Sequence, residues 1–132
     1  MPKIKVFVVD DSAFMRGIIT KMLESDDEIE VIGSARNGQE AIERIGELKP
    51  DVVTLDIEMP VMNGVETTRY IRQNFPFPLK SIPIIALTAH NPADFFEDFH
   101  NTGFNYLLTK PYSIERIQKA IDETLKQEKQ QN

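Results

Sequence analysis

The sequence predicts an α/β fold, a doubly wound sheet of parallel strands with crossover helices on both faces. Two observations carry this expectation. Five short apolar runs alternate with segments of helical period. Three of those runs are apolar at nearly every position, as strands are when helices cover both sides of a sheet. With 132 residues, 41% hydrophobic and 27% charged, the chain has the size and balance of one globular domain.

The runs read Ile4 to Val9 (IKVFVV), Ile29 to Ile32 (IEVI), Val52 to Leu55 (VVTL), Ile82 to Leu87 (IPIIAL) and Phe104 to Leu108 (FNYLL). The second and fifth are less uniformly apolar and read as sheet edges. Between the strands, Ile18, Ile19, Met22 and Leu23 mark one helical face, and Ala41, Ile42, Ile45 and Leu48 a second. Gly64 to Asn74 supplies a third helix with Val65, Thr68 and Ile71 facing inward. Asn91-Pro92 combines a cap residue with Pro at the first helical position, and so predicts a short fourth helix. In the last helix Ser113 is the expected N-cap, and Ile114, Ile117, Ile121 and Leu125 form its stripe. The domain is expected over 1–126, followed by a polar tail, 127–132 (QEKQQN), that should fray. Phe75 to Pro83 (FPFPLKSIP) carries three prolines and reads as a long loop.

Charge and composition exclude several functions. The formal charge is 15 − 21 = −6 and no Lys/Arg cluster interrupts it, which disfavours direct nucleic-acid binding. The absence of cysteine removes disulfides, thiol chemistry and thiolate metal sites. No apolar run is long enough to span a bilayer, and MPKIKV leads straight into a strand pattern. No membrane partner and a cytoplasmic location are the expectations.

In open α/β sheets, ligands bind beyond the carboxyl ends of the strands. Those ends here carry Asp10-Asp11, Asp56, Thr88, and Thr109-Lys110 followed by Pro111. Each residue alone has an ordinary explanation as a turn former, a cap or a solvated charge. Their conjunction does not. Two carboxylates about 5 Å apart repel by roughly 3 kcal/mol at an effective dielectric near 20, so clustering three calls for a cation. Oxygen donors without His or Cys suit a hard ion, and Mg²⁺ keeps waters that a phosphate can replace. Lys110 could hold a phosphoryl oxygen and Thr88 could donate to another. His90 and His100 are too isolated for a metal site, Phe95, Phe96 and Phe99 read as core, and so do Phe14 and Met15.

Four segments, VVDDSAFMR (Val8 to Arg16), DVVTLDIEMPVMNG (Asp51 to Gly64), IIALTAH (Ile84 to His90) and LTKPY (Leu108 to Tyr112), resemble the receiver domains of response regulators, the CheY-like family. The resemblance covers essentially the whole chain. The first half is especially similar to receivers of the chemotaxis methylesterase CheB type. It implies a flavodoxin-like (βα)5 sheet of strand order 2-1-3-4-5 and a Mg²⁺-dependent phosphoacceptor switch. Asp56 would be phosphorylated by a sensor histidine kinase or phosphotransfer protein. Asp11 would ligate Mg²⁺ directly with Asp56 and the Glu58 backbone carbonyl, and Asp10 largely through water. Thr88, Ala89 and Lys110 would surround the phosphoryl group, and Lys110–Pro111 would be a cis peptide bond. Thr88 occupies the switch hydroxyl position, whereas the usual switch Tyr or Phe is replaced by Leu107. Tyr106, one residue earlier, should face the other way. The output surface would be formed by the fourth helix, the fifth strand and the last helix, on a monomer or a weak dimer through that surface. Such a domain catalyses its own phosphorylation and dephosphorylation without turning over a separate substrate.

A flavodoxin-like electron carrier would need a Ser/Thr/Gly-rich phosphate loop where this chain has DDSAFMR. A haloacid-dehalogenase-type phosphatase would need its nucleophile in a D-x-D motif after the first strand. The competing reading of another class is an engineered or recombined receiver-like scaffold, or an interaction module without a working phospho-switch. Leu107 and the proline-rich loop are the features that favour it.

Overall fold

Five parallel strands form one sheet in the order β2-β1-β3-β4-β5, which is the predicted architecture. The structure is a computed structural model describing residues 2–89, 102–109 and 112–131, with side chains described as far as 126. The elements are β1 (Ile4–Val9), α1 (Ala13–Glu24), β2 (Ile29–Ala35), α2 (Gly38–Leu48), β3 (Val52–Asp56), α3 (Gly64–Asn74), a 3₁₀ turn (Leu79–Ser81), β4 (Ile84–Thr88), β5 (Tyr106–Thr109) and α4 (Ile114–Gln131). The helix expected at Asn91-Pro92, with Phe95, Phe96 and Phe99, lies outside the described residues, as do His90 and His100.

Strand alternation divides the core into two layers. Val6, Val8, Ile85 and Leu87 point to the side covered by Ile19 and Leu23 of α1 and by Ile117 and Ile121 of α4. Phe7, Val9, Val53, Leu55 and Ile84 point to the side covered by Ala41 and Ile45 of α2 and by Ile71 of α3. The predicted inward faces are therefore correct at their centres, while Ile18, Ile42, Leu48 and Val65 at their margins are half-buried. Met15 packs inward as expected, but Phe14 is 75% exposed.

Several boundaries differ from the sequence expectation, and three of them have a clear physical reason. β2 runs on to Ala35 because a register shift lets Phe7 pair with Gly33 after Val6 pairs with Val31. Gly33 leaves room there for Phe7 and Leu48, whose atoms would lie 3.1 and 2.9 Å from a Cβ. β4 begins at Ile84 rather than Ile82, since Pro83 has no N–H and contributes only its carbonyl, which accepts from Val53 N at 2.9 Å. β5 begins at Tyr106 because Asn105 serves as a side-chain bridge, its Oδ1 accepting from Ile84 N at 2.8 Å. The helix α4 is described through Gln131.

Caps explain where the helices start. Met15 N donates to Ser12 Oγ at 3.2 Å, and Arg116 N donates at 3.2 Å to the Oγ of Ser113, the cap expected from the sequence. Asn63 and Glu66 form a reciprocal capping box at α3. The proline-rich loop contains the 3₁₀ turn and a cis Phe77–Pro78 bond. It is tied to α3 by Arg72, whose Nη1 donates to Lys80 O at 2.8 Å and Nη2 to Gly103 O at 2.8 Å.

Candidate functional site

The strand order reverses between β1 and β3, and a sheet of this kind opens a crevice beyond the strand ends at such a point. β1 delivers Asp10 and Asp11 to that crevice, and β3 ends in Asp56. One carboxylate oxygen from each of the three lies within 4.8 Å of the others. Asp10 and Asp56 are buried, at 2% and 4% exposure, whereas Asp11 is exposed. A carboxylate out of water needs hydrogen bonds or a counterion. Asp10 Oδ1 accepts from Ser12 N at 2.9 Å and Asp56 Oδ1 accepts from Glu58 N at 3.1 Å. The donor set is all oxygen and all anionic, which fits a hard divalent cation.

The backbone under the site is held from several sides. Asp10 N donates to Ala35 O at 3.1 Å, and Arg16 Nη1 donates to Asp10 O at 2.7 Å. Ile57 N donates to Leu87 O at 3.0 Å, and Gly64 N to Ile57 O at 2.9 Å. A Cβ on Gly64 would lie 2.7 Å from Asp56 O and 2.8 Å from Ile57 Cα. Glycine is therefore what allows the start of α3 to close directly against the segment carrying Asp56.

Thr88 is fully buried at the end of β4, and its Oγ1 donates to Glu58 Oε1 at 2.6 Å. Ala89 follows it at an exposed position. Leu107 pairs with Ala86 and is half-buried, while Tyr106 packs with the α1 and α4 side of the core, as alternation requires. Lys110 and Pro111, together with the expected cis bond between them, lie outside the described residues.

Two features of the site were not legible from the motifs. One is the partner of the Glu58 side chain: a carboxylate two residues past Asp56 could be expected from the sequence to crowd or order an attacking water, but its contact with Thr88 could not. The other is Tyr112. Its hydroxyl is buried without a hydrogen-bond partner among the described residues. Burial raises the phenol's pKa well above its usual range, and the negative charges of Asp56, Asp10 and Glu58 raise it further. Its position two residues beyond Lys110 was the only sequence signal.

An apolar groove of about 670 Å³ opens at the opposite end of the sheet, among Ile4, Pro50, Phe75, Phe77 and Leu125. Among the described residues its charged lining is limited to Lys49 and Asp51, so the convergent chemistry stays with the acidic crevice.

Fold and site together define a class: a doubly wound α/β domain with an acidic pocket at its topological switch point. The model of the response regulator receiver domain matches residues 6–122, and the chain belongs to that family. It is similar to a protein-glutamate methylesterase/protein-glutamine glutaminase of Halalkalibacterium halodurans, with 48% identity over 109 residues, 83% of this chain and 31% of the relative. The chain thus spans about a third of that relative's length. The response regulator domain of Thermotoga maritima CheB is 35% identical with a TM-score of 0.74, covering 94% of this chain and 92% of that one. The CheX-CheY-BeF3-Mg²⁺ complex of Borrelia burgdorferi matches at 25% identity and a TM-score of 0.83, covering 94% and 90%.

Proposed function

We propose that this receiver domain is a phosphoacceptor switch that takes a phosphoryl group onto Asp56 from a phosphohistidine of a sensor histidine kinase or phosphotransfer protein. The observation that carries the reading is the convergence of Asp10, Asp11 and Asp56 within 4.8 Å at the carboxyl edge of the central strands. Asp11 and Asp56, with the Glu58 carbonyl and with Asp10 through water, would hold Mg²⁺. When bound, that ion offsets the carboxylate charge and the charge of the incoming group. The similarity to a CheY complex containing BeF3 and Mg²⁺ supports this assignment.

The chain's own residues supply position and electrostatics, which account for most of the protein's part in phosphoryl transfer. Hydrogen bonding to Glu58 N and burial at the end of β3 hold the Asp56 carboxylate in place, which supports its role as the nucleophile. An Oδ atom of Asp56 forms the new P–O bond while the P–N bond to the donor imidazole breaks. Lys110 and the Thr88 hydroxyl receive the equatorial oxygens, beside the small Ala89. Thr88 then moves toward the phosphoryl group, with Leu107 in place of an aromatic partner. The output surface comprises the segment after β4, β5 and the C-terminal helix.

The reading belongs to a cytoplasmic signalling protein. No helix among the described residues is long and apolar enough to cross a membrane. The test is mass spectrometry and NMR with acetyl phosphate and Mg²⁺. Wild type should gain one phosphoryl group and shift resonances around Thr88 and Leu107, and Asp56→Asn should do neither. An unchanged wild-type spectrum would overturn the switch, and an unimpaired Asp56→Asn variant the site.

A further inference from the structure

We propose that the Glu58 side chain is a positioning residue of the switch, holding the Thr88 hydroxyl in its unphosphorylated place and so opposing the phosphorylated state. The inference rests on the phosphoacceptor reading above and concerns what that reading leaves unassigned.

Thr88 Oγ1 donates to Glu58 Oε1 at 2.6 Å, the length of a charge-assisted bond between a hydroxyl and a carboxylate. Neither end is loosely placed. Thr88 is fully buried on β4, and the backbone leading into Glu58 is tied through Ile57 to Leu87 and to Gly64. Glu58 N is engaged by Asp56 itself. The side chain that holds Thr88 therefore springs from a segment that cannot drift away from the phosphorylation site.

A threonine hydroxyl has one proton to donate. Donating it to a phosphoryl oxygen on Asp56 means withdrawing it from Glu58. Phosphorylation also brings a group of nearly two negative charges beside a carboxylate, which adds repulsion. Both effects oppose the phosphorylated arrangement, but only the first runs through the Thr88 hydroxyl. The two can be separated by a double-mutant cycle.

The experiment measures Mg²⁺-dependent beryllofluoride binding by NMR titration in wild type, Glu58→Ala, Thr88→Val and the double variant. Glu58→Ala should tighten binding by about five- to tenfold when Thr88 is present, and by less than about twofold on Thr88→Val, a non-additivity expected of residues in contact. Thr88→Ser retains the donor and should restore the full effect, and Thr88→Ala provides a second background lacking the hydroxyl. In the free protein, Glu58→Ala should also shift the Thr88 methyl resonance. Equal tightening with and without the hydroxyl would leave only charge repulsion and overturn the role of Glu58 as a positioning residue. A wild type that ignores Mg²⁺ and beryllofluoride would remove the phosphoacceptor reading itself, a different result from additivity in a protein that binds.

Discussion

Tyr112 sits where a hydrophobic core and an acidic pocket meet. Its ring packs with the core on the α1 and α4 side, while its hydroxyl is buried with no partner among the described residues. A buried polar group without a hydrogen bond costs about 1–3 kcal/mol, so Tyr112→Phe should leave stability unchanged or raise it by about 1 kcal/mol in urea unfolding at neutral pH. The pH dependence has a definite sign. The folded-state pKa is raised by burial and by the charges of Asp56, Asp10 and Glu58. Above the ordinary value of about 10, the unfolded chain loses a proton that the folded protein keeps, and stability falls as pH rises. Wild type should therefore lose stability more steeply than Tyr112→Phe above that pH, and parallel curves would refute this environment for the phenol. Arg72 is perturbed as well. Burial lowers its pKa to about 10, which leaves it charged at neutrality and able to bind Gly103 O and Asn105 Oδ1.

At the scale of elements, α3 is the helix whose placement governs the site. Its start is set by the Asn63–Glu66 capping box, and replacing an Asn cap by Ala generally costs about 0.5–2 kcal/mol. Asn63→Ala should lower stability by that amount in denaturant titrations while the fold persists. Gly64→Ala is a different kind of change. The added methyl meets Asp56 O and Ile57 Cα, which are backbone and cannot swing aside as a side chain can. Overpacking of this kind costs about 1–3 kcal/mol. Because the displaced backbone carries Asp56, the variant should also accept phosphoryl groups more slowly, measured as the rate of labelling from acetyl phosphate. Part of this was legible: the helix from Gly64 to Asn74 was expected, and its periodicity located Thr68 and Ile71. Which backbone Gly64 would touch was not legible, since that contact depends on how α3 docks on β3.

For the whole molecule, three carboxylates at one sheet edge concentrate negative charge on a chain already at −6. A cation that binds only the folded state stabilises it in proportion to the logarithm of its concentration, by about 2.7 kcal/mol at a hundredfold excess over its Kd. Adding Mg²⁺ should raise the melting temperature of wild type, and EDTA should reverse the rise. Asp11→Asn, which removes the exposed member of the trio, should abolish most of the gain. Equal Mg²⁺ responses in both proteins would place the cation elsewhere.

By itself the sequence determined the alternation of strands and helices, the two edge strands, the cap at Ser113, and the gathering of Asp10, Asp11, Asp56 and Thr88 at one sheet edge. These are local facts. Apolar periodicity reports how a segment divides itself between core and water, and every parallel strand ends at the same edge of the sheet. Tertiary structure alone decided that β2 continues past Gly33, that Gly64 closes on the Asp56 backbone, that the Tyr112 phenol faces the acidic pocket, and that Thr88 donates to Glu58 across 30 residues of sequence. Those depend on distances between elements, which no single segment encodes. They follow only when strand order and helix docking bring together side chains that are strangers in the sequence.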